Sequence, residues 1–411
     1  MTYYRRILVI ASIALIYTGW TNYYCMYNKE PNPSQWAMLF GLLSLPLLTR
    51  QQVISDLLKS PLMIWCFGYA WLTVTWFLLS SQSDMASQEV RWRALAIFQL
   101  LMFLALFADP DANKLARRTL VAAVLFGVAM NIYEVFVPMT FSRFAGRSAG
   151  LYLNANQSGE ALVCGMILSV TAMPSRYRTP FMLLTGIGVF VTFSRGGILT
   201  WLIAVAGLIL TGRVGLKNLF VSGFMALVLV GVILLPRLDQ LLTTLERSGT
   251  INKDVQERLA WLADPSGVSD ASSLDRLYLA KQAWEKIAEH PLLGGGTGAS
   301  HTAPDVAFYA THNQYLALME DHGLLGAAIM PLLILAMTWG ANGDSRHVAR
   351  VFGCAVLLMS FFSHAVLYAP FSLWLFSLMA AMASTSREGD MKGTIAMATV
   401  EVGTPKTLVR A

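Results

Sequence analysis

Twelve apolar runs, separated by charged residues, proline or glycine, follow one another along the chain. They cover residues 7–25, 35–49, 61–80, 93–108, 119–138, 158–173, 180–193, 198–211, 218–235, 323–339, 349–367 and 370–384. A helix needs roughly 20 residues to cross the hydrocarbon core of a bilayer, so the shorter runs have approximate ends or are tilted or re-entrant. The pattern predicts an all-α, polytopic membrane protein with about 12 transmembrane helices.

The composition agrees with this interpretation. The chain of 411 residues is 55% hydrophobic and only 13% charged, with a mean hydropathy of +0.54. Soluble domains carry about 25% charged residues, so a water-solvated exterior of this size is excluded. The same numbers exclude a disordered chain and a soluble two-domain enzyme. The continuous apolar runs exclude an outer-membrane barrel, whose strands alternate polar and apolar residues.

The formal net charge is +6, which in a soluble protein would suggest nucleic acid as a partner. Here the basic residues fall in short connections between apolar runs, which is typical of cytoplasmic loops, so no nucleic acid is expected. This bias places both termini in the cytoplasm. The start at Arg5-Arg6 resembles a secretory signal, but no A-x-A site follows and Trp20 closes the run, so we expect a retained first span.

Changes in composition divide the chain into four parts. Residues 1–235 would form transmembrane helices 1–9 with short loops, 236–322 a large periplasmic loop, 323–384 helices 10–12, and 385–411 a polar cytoplasmic tail with nothing to fold around. The large loop holds seven Lys and Arg residues against twelve Asp and Glu residues, a net of −5. A loop this acidic and this long is expected on the outer side.

Two stretches of the large loop, 254–263 and 273–289, have the periodicity of amphipathic helices. In the second stretch, helical spacing relates Leu277, Lys281 (through its stem), Trp284 and Ile287 or Ala288. Such helices lie on membrane surfaces, and these two are expected to roof a cavity between the spans.

Three polar clusters fall on the outer side in this topology. They are residues 143–156, residues 194–197, and the end of the large loop with Arg276, 290–298 and 312–316. Taken singly, the arginines are explained by snorkelling to headgroups, the glycines by tight turns and the histidine by a solvated or structural position. Their joint occurrence on one face of a membrane protein favours a shared site.

These clusters contain the residue types that a phosphate-bound substrate requires. A guanidinium near lipid is costly unless it meets an anion, and its planar fork binds phosphate through two hydrogen bonds. Arg147, Arg195 and Arg276 are therefore the candidate ligands of a lipid-linked diphosphate. His312, with an ordinary pKa of about 6.5, is the candidate general base for an acceptor hydroxyl. A general base and a set of anion-binding arginines together predict glycosyl transfer from a lipid diphosphate. Assistance by a metal ion would be optional in such a site.

Two motifs imitate nucleotide sites. Asp109-Pro110-Asp111 has the D-x-D form of metal sites in nucleotide-sugar transferases, but it opens a helix on the cytoplasmic side and is interpreted as a helix cap. The glycine-rich segment 294–298 lacks a following Lys-Ser/Thr and comes after a helix, so no nucleotide is expected. The four cysteines show no metal-ligand spacing. The cysteines therefore give no indication of a metal site or a disulfide framework.

The motifs together resemble the signature of the superfamily of O-antigen ligases and Wzy-type polymerases. The resemblance lies in Trp284 to His290-Pro-Leu-Leu-Gly294-x-Gly296-x-Gly298, His312-Asn313-x-x-Leu316 and Gly323-Leu-Leu-Gly326, and in the motifs Arg147 to Asn156 and Ser194-Arg195-Gly-Gly. Thr297 stands where a proline is common in the glycine turn.

The resemblance implies a glycosyltransferase of the Gram-negative bacterial inner membrane that uses neither metal nor nucleotide. It would take an O-antigen glycan from undecaprenyl diphosphate and pass it, on the periplasmic side, to a sugar hydroxyl of lipid A-core. His312 would be the catalytic base, and Arg147, Arg195 and Arg276 would bind the diphosphate, with Arg258 an alternative to Arg276. Candidates for orienting sugar or phosphate oxygens, or for structural roles such as helix capping, are Asn154, Asn156, Asn313 and Tyr315.

Other functions stay open at this point. Within the superfamily the alternatives are a polymerase, disfavoured because the outer connection 139–157 is short, and an O-oligosaccharyltransferase. From another class, a transporter or flippase for lipid-linked glycans also commonly has twelve spans. Ion-coupled carriers need ionisable or broken-helix sites near the midplane, whereas Glu134 and Glu160, the carboxylates in the predicted spans, lie close to the outer end. This distribution favours chemistry at the outer surface.

Overall fold

The computed structural model describes residues 2–143, 146–221, 223, 271–301 and 311–402, with side chains described in these ranges except at 271–273 and 388–402. Within these residues the regular structure is helical and no strand occurs, which confirms the all-α prediction. Most of the ninth predicted span, the predicted amphipathic helix at 254–263 and the alternative phosphate ligand Arg258 lie outside the described residues.

Fifteen α-helices have bounds in the described part of the chain. The first ten are α1 (Tyr3–Ser12), α2 (Trp20–Asn28), α3 (Pro33–Ser44), α4 (Gln51–Leu58), α5 (Pro61–Leu79), α6 (Asp84–Phe107), α7 (Pro110–Phe136), α8 (Ala155–Ser169), α9 (Ser175–Phe190) and α10 (Arg195–Leu210). The others are α11 (Ala271–Glu289), α12 (Gln314–His322), α13 (Leu324–Thr338), α14 (Gly343–Met359) and α15 (Pro370–Val402).

Three helices of the described residues, α5, α6 and α7, are long and apolar enough to cross a membrane. Two bent pairs raise the number to five if each pair is one span: Tyr3–Tyr17 with Trp20–Asn28, bent by 60°, and Pro33–Thr49 with Gln51–Leu58, bent by 111°. Helices α10 and α13 are apolar but shorter. A helical protein with several apolar helices is therefore established, while twelve spans and the division into a periplasmic loop and flanking spans stay predictions.

Helix α7 begins well before the apolar run at 119–138 because a side chain caps it. The Asp109 carboxylate accepts hydrogen bonds from the backbone N–H groups of Asp111 (2.9 Å) and Ala112 (3.2 Å). Asp109 also pairs with the buried Arg5 at 3.1 Å. The predicted helix cap at Asp109-Pro110-Asp111 is confirmed, and the Asp109 carboxylate has a structural role.

Two predicted boundaries near the C-terminus are wrong. The run 349–367 was expected to be one span, but α14 ends at Met359, and residues 360–369 form a non-helical connection. The tail from 385 was expected to have nothing to fold around, whereas α15 continues to Val402. Hydropathy predicts where a chain is apolar, and it does not specify where its backbone hydrogen bonds stop.

Helix α11 confirms the helix predicted at 273–289, and only part of its predicted apolar face is buried. Ala283 and Ile287 are 0% and 4% exposed, whereas Leu277 and Trp284 are 66% and 59% exposed. The helix packs with its buried face on α12. Periodicity shows that a helix has an apolar side, but a second apolar side that meets lipid or solvent has the same signal.

The core of the described residues is built around α15 and α6, which lie against each other. The Trp374 side chain is fully buried and donates its indole N–H to Ser12 Oγ at 3.0 Å. The hydroxyl of Ser377 donates to the carbonyl of Leu100 at 2.9 Å. These bonds satisfy polar groups that have no access to water, and they join the last helix to the first and sixth.

Two glycines set the junction of α12 and α13. Gly323 has φ +60°, a conformation that side chains with a Cβ rarely adopt. At Gly326 an added Cβ would lie 2.0 Å from the carbonyl oxygen of Leu318. The Gly-Leu-Leu-Gly segment therefore permits a close backbone crossing, which holds the helix that follows His312 against the rest of the protein.

Candidate active site

Glu134 organises the segment that carries Arg147. Its Oε1 accepts the backbone N–H groups of Phe141 (2.8 Å) and Ser142, and its Oε2 accepts those of Ala149 (2.7 Å) and Gly150 (3.1 Å). A buried carboxylate surrounded by four backbone donors needs no catalytic explanation. Glu134 shapes the loop from which Arg147 projects.

Arg147, in the first polar cluster, joins that cluster to the segment that precedes the second one. Its Nε donates to the Thr192 carbonyl at 3.2 Å, and its NH2 group donates to Asn156 Oδ1 at 2.9 Å. Asn154 caps α8 by accepting the backbone N–H groups of Asn156 (2.9 Å) and Gln157 (3.3 Å). Asn154 therefore has a structural role, and Asn156 joins Arg147 to the cavity described next.

The Ser194-Arg195-Gly196-Gly197 segment forms the beginning of α10. Ser194 is the N-cap, and its Oγ accepts the N–H of Gly197 at 3.2 Å. An added Cβ on Gly196 would lie 3.0 Å from the Phe362 side chain, so glycine is needed for close packing here. Helix N-termini carry partial positive charge and exposed N–H groups, which attract anions. Arg195 adds a full positive charge at that position.

A cavity of about 220 Å³ opens beside this helix end. Arg195 and Arg276 both line it, although 81 positions separate them in the sequence. Its other lining residues are Asn156, Glu160, Ser194, Gly196, Gly197, Leu199, Met359 and Phe362. The cavity therefore brings together two of the predicted phosphate ligands, one helix N-terminus and one buried carboxylate.

Helix α11 delivers Arg276 to this cavity because its far end is fastened to α12. Lys286 Nζ lies 3.2 Å from Glu320 Oε2. Burial raises the pKa of Glu320 to about 7, although Lys286 acts in the opposite direction. The pair and the buried Ala283 and Ile287 hold the helix in one register on α12.

His312 directly precedes α12 in a constrained backbone conformation. Its φ is +51°, which residues other than glycine adopt only where the surroundings hold them. Asn313 follows as the N-cap and accepts the N–H groups of Tyr315 (3.0 Å) and Leu316 (3.2 Å). Tyr315 donates its hydroxyl to the Leu357 carbonyl at 3.1 Å. Asn313 and Tyr315, two of the predicted orienting residues, thus hold the His312 turn in place.

The surroundings of His312 favour the neutral form of its imidazole. Burial and the positive charge of Arg276 lower its pKa below the ordinary value. A neutral imidazole can accept a proton, which a general base must do. His312 does not line the cavity, but Arg276, which does, acts through its charge on the pKa of His312.

We expect the Arg276→Gln variant to raise the pKa of His312, because the loss of the cation removes one of the two causes that lower it. Burial remains, so the pKa should stay below its ordinary value of about 6.5. NMR titration of ¹³C-labelled histidine rings in detergent measures this shift. Arg276→Lys, which keeps the charge, is the control, and an identical His312 titration in all three proteins would contradict the electrostatic link.

The glycine-rich turn that follows α11 connects this helix to α12 through backbone hydrogen bonds. Gly294, Gly296 and Gly298 all have positive φ. The N–H groups of Gly295 and Gly296 donate to the carbonyls of Glu320 (2.7 Å) and Asp321 (3.2 Å), so these two N–H groups are already used. The turn ties α11 to α12, which explains the motif by backbone geometry.

Residues 360–369, the connection predicted to be membrane-spanning, contribute side chains to the site that the sequence analysis missed. Phe362 lines the cavity, Ser363 hydrogen-bonds Glu160, and His364 packs against His312 with ring centroids 5.0 Å apart. A signal was present: Ser360, Ser363 and His364 interrupt the apolar run shortly before Pro370.

A buried ionic cluster also escaped the sequence analysis. Arg93 is 0% exposed, and its Nε donates to Glu89 Oε1 at 2.8 Å, while its NH2 group pairs with Asp321. His301 Nε2 lies 3.2 Å from Glu89 Oε2, and Tyr368 donates its hydroxyl to Glu89. We name these five residues the Arg93 cluster. Glu89 and Asp321 fall just outside the predicted spans, which is why their pairing with Arg93 was not foreseen.

No group of three or more His, Cys, Asp or Glu side chains in the described part of the chain is arranged to hold a metal ion. The described site instead consists of arginines, one helix N-terminus, a carboxylate and a histidine pair. This set can bind an anion and accept a proton.

Part of the chain is similar to a known protein family. Residues 180–331 match the family model described as O-Antigen ligase. The matched segment contains Arg195, Arg276 and His312 but neither Arg147 nor residues 360–369. No curated protein matches the sequence significantly.

One solved chain aligns along most of the protein. It comes from the structure reported as "Structural coordination of polymerization and crosslinking by a peptidoglycan synthase complex", with a TM-score of 0.43 and 13% identity over 79% of this chain and 97% of that chain. At this TM-score the alignment supports no conclusion about fold or activity.

Proposed function

We propose, from the match of residues 180–331 to the family model described as O-Antigen ligase, that the protein moves an O-antigen glycan from undecaprenyl diphosphate to a sugar hydroxyl of lipid A-core. The proposal places it in the inner membrane of a Gram-negative bacterium, with both termini cytoplasmic and the site periplasmic. The observation that supports this proposal most is that Arg195 and Arg276 line one cavity at the N-terminus of α10. The charge of Arg276 also lowers the pKa of His312.

The arginines support the binding half of the reaction. The prenyl chain of the donor lies against apolar helix faces, and its diphosphate enters the cavity of about 220 Å³. Arg195 and Arg276 bind the phosphate oxygens together with the N–H groups at the start of α10. Arg147 supports this arrangement through Asn156, which lines the cavity and accepts its hydrogen bond.

His312 supports the chemical half. It accepts the proton of the acceptor hydroxyl, and the oxygen attacks the anomeric carbon as the bond from that carbon to the phosphate oxygen breaks. The electron pair leaves with the diphosphate, whose added negative charge the arginines stabilise. The proton on His312 passes to solvent or to the released diphosphate. A single displacement of this kind inverts the anomeric carbon, and the proposal assigns no metal or other cofactor to it.

The direct test is a transfer assay with purified protein, undecaprenyl-linked glycan and lipid A-core, with a chelator present throughout. The proposal expects glycan attached to lipid A-core. Longer undecaprenyl-linked glycan as the product would instead identify a polymerase, and movement of the donor across a vesicle bilayer without transfer would identify a flippase.

We expect Arg195→Lys to weaken donor binding by about 10-fold or more, although the charge is kept, because lysine lacks the planar fork that binds two phosphate oxygens. The dissociation constant for the undecaprenyl-linked donor measures the effect. Arg118→Lys, at an exposed arginine of α7, is the matched control. Equal donor affinity in the two variants would show that Arg195 only snorkels to headgroups.

Orientation is tested with an impermeant thiol reagent on intact cells. In a protein without its partly exposed Cys25 and exposed Cys354, we expect the reagent to label Ser81→Cys, before α6, from outside. Ser345→Cys, near the start of α14, should react only after the cells are broken. The reverse pattern would place the cavity on the cytoplasmic side.

A further inference from the structure

The connection 360–369 holds a second histidine against His312. The two rings pack edge to face, with centroids 5.0 Å apart and planes at 73°. We propose that His364 is a positioning residue for His312 and is itself held by one water molecule in a small cavity behind it. This inference rests on the proposed function in so far as His312 is the base.

The backbone ties the two histidines into one unit. The N–H of Gln314 donates to the Ser360 carbonyl at 2.8 Å, and the Tyr315 hydroxyl donates to the Leu357 carbonyl at 3.1 Å. The start of α12, which follows His312, is thus bonded to residues on both sides of the C-terminal end of α14. The backbone of His312 lies in the left-handed region, so the orientation of its ring depends on these contacts.

A cavity of about 10 Å³ lies behind His364, and its lining includes Gln314, Thr311, His301 and Tyr368. Two buried atoms of these residues, His364 Nδ1 and Gln314 Oε1, have no hydrogen-bond partner in the described part of the chain. Leaving such atoms without a partner costs free energy, and the cavity has the volume of one water molecule. A water that donates one hydrogen to each atom satisfies both.

This water determines which nitrogen of His364 carries the proton. In the proposed arrangement Nδ1 accepts from the water, the proton sits on Nε2, and the ring cannot flip without breaking the bond. Burial, together with the nearby His312, His301 and Arg276, lowers the pKa of His364 to about 4. His364 is therefore neutral near neutral pH, so it does not repel the imidazolium that His312 becomes during transfer.

Two substitutions separate packing from hydrogen bonding. His364→Phe keeps a ring against His312 but loses Nδ1, whereas His364→Asn places an amide oxygen where the water can still donate. We expect His364→Phe to lower kcat of glycan transfer by about 10- to 100-fold with the donor KM unchanged, because the base is misaligned. We expect His364→Asn to recover most of kcat. His290→Phe, at an exposed histidine, is the control.

A second measurement does not depend on transfer. ¹⁵N NMR of labelled histidine should show His364 with its proton on Nε2, and His364→Phe should change the rate at which diethyl pyrocarbonate modifies His312. If the wild type transfers no glycan but both signals appear, the proposed function fails and the positioning role stands. An Nδ1-protonated His364, or equal kcat in His364→Phe and the wild type, would overturn the positioning role, and size-exclusion profiles confirm that each variant is folded.

Discussion

Replacement of His312 by alanine is expected to reduce glycan transfer by about 10²- to 10⁴-fold, the range that a positioned general base contributes. Donor binding should change little, because the arginines and the start of α10 are untouched. Removing the imidazole also removes a contact of His364, so His312→Gln, which keeps a polar side chain of similar length, is the companion variant.

The measurement is the initial rate of transfer to lipid A-core, with donor affinity measured separately by direct binding. His347→Ala, at a histidine on α14 outside the cavity lining, is the control for general loss of a histidine. Near-normal turnover of His312→Ala would remove the general-base assignment while leaving the diphosphate site intact.

The second large effect is expected at Arg93. In the Arg93→Met variant the carboxylates of Glu89 and Asp321 stay buried without their cation. Removing one partner from a buried ion pair typically destabilises a protein by about 3–5 kcal/mol, because the remaining charge has no compensation. We expect a loss of this size in the free energy of unfolding, measured by denaturant or thermal unfolding in detergent.

Arg91→Met is the matched control, since Arg91 lies two positions away on α6 with its side chain exposed. The triple variant Glu89→Gln, Arg93→Met, Asp321→Asn should recover part of the loss because no isolated charge remains. Equal stability of Arg93→Met and Arg91→Met would show that the Arg93 cluster does not hold α6 to α12.

The sequence predicted the secondary structure of the site better than its packing. The helix at 273–289 was expected and is present as α11, but of its predicted apolar face Ile287 is buried while Leu277 and Trp284 are exposed. The apolar periodicity was correct. Which apolar side meets α12 depends on Glu320 and its ion pair with Lys286, and no local pattern around 273–289 contains that information.

The candidate residues were found because their chemistry is unusual in an apolar chain. Arg195 and His312 stand out as a cation and a base among residues that avoid charge, and Arg276 lies on a recognisable helix. Their partners were missed because the signal that they carry in the sequence is weaker. Ser363 and His364 lie inside an apolar run, and Glu89 meets Arg93 and His301 only after the chain has folded.

The sequence by itself determined that the protein is helical and apolar, where most of the described helices lie, and which residues have the chemistry to bind an anion or accept a proton. Hydropathy, helix period and residue chemistry are local properties, and they are readable wherever a short stretch carries them. Only the tertiary structure decided that Arg195 and Arg276 share one cavity, that His364 packs on His312, and that Arg93 meets Asp321 228 positions away. Such contacts depend on how whole helices pack, and the free energy of that packing is spread over the entire core.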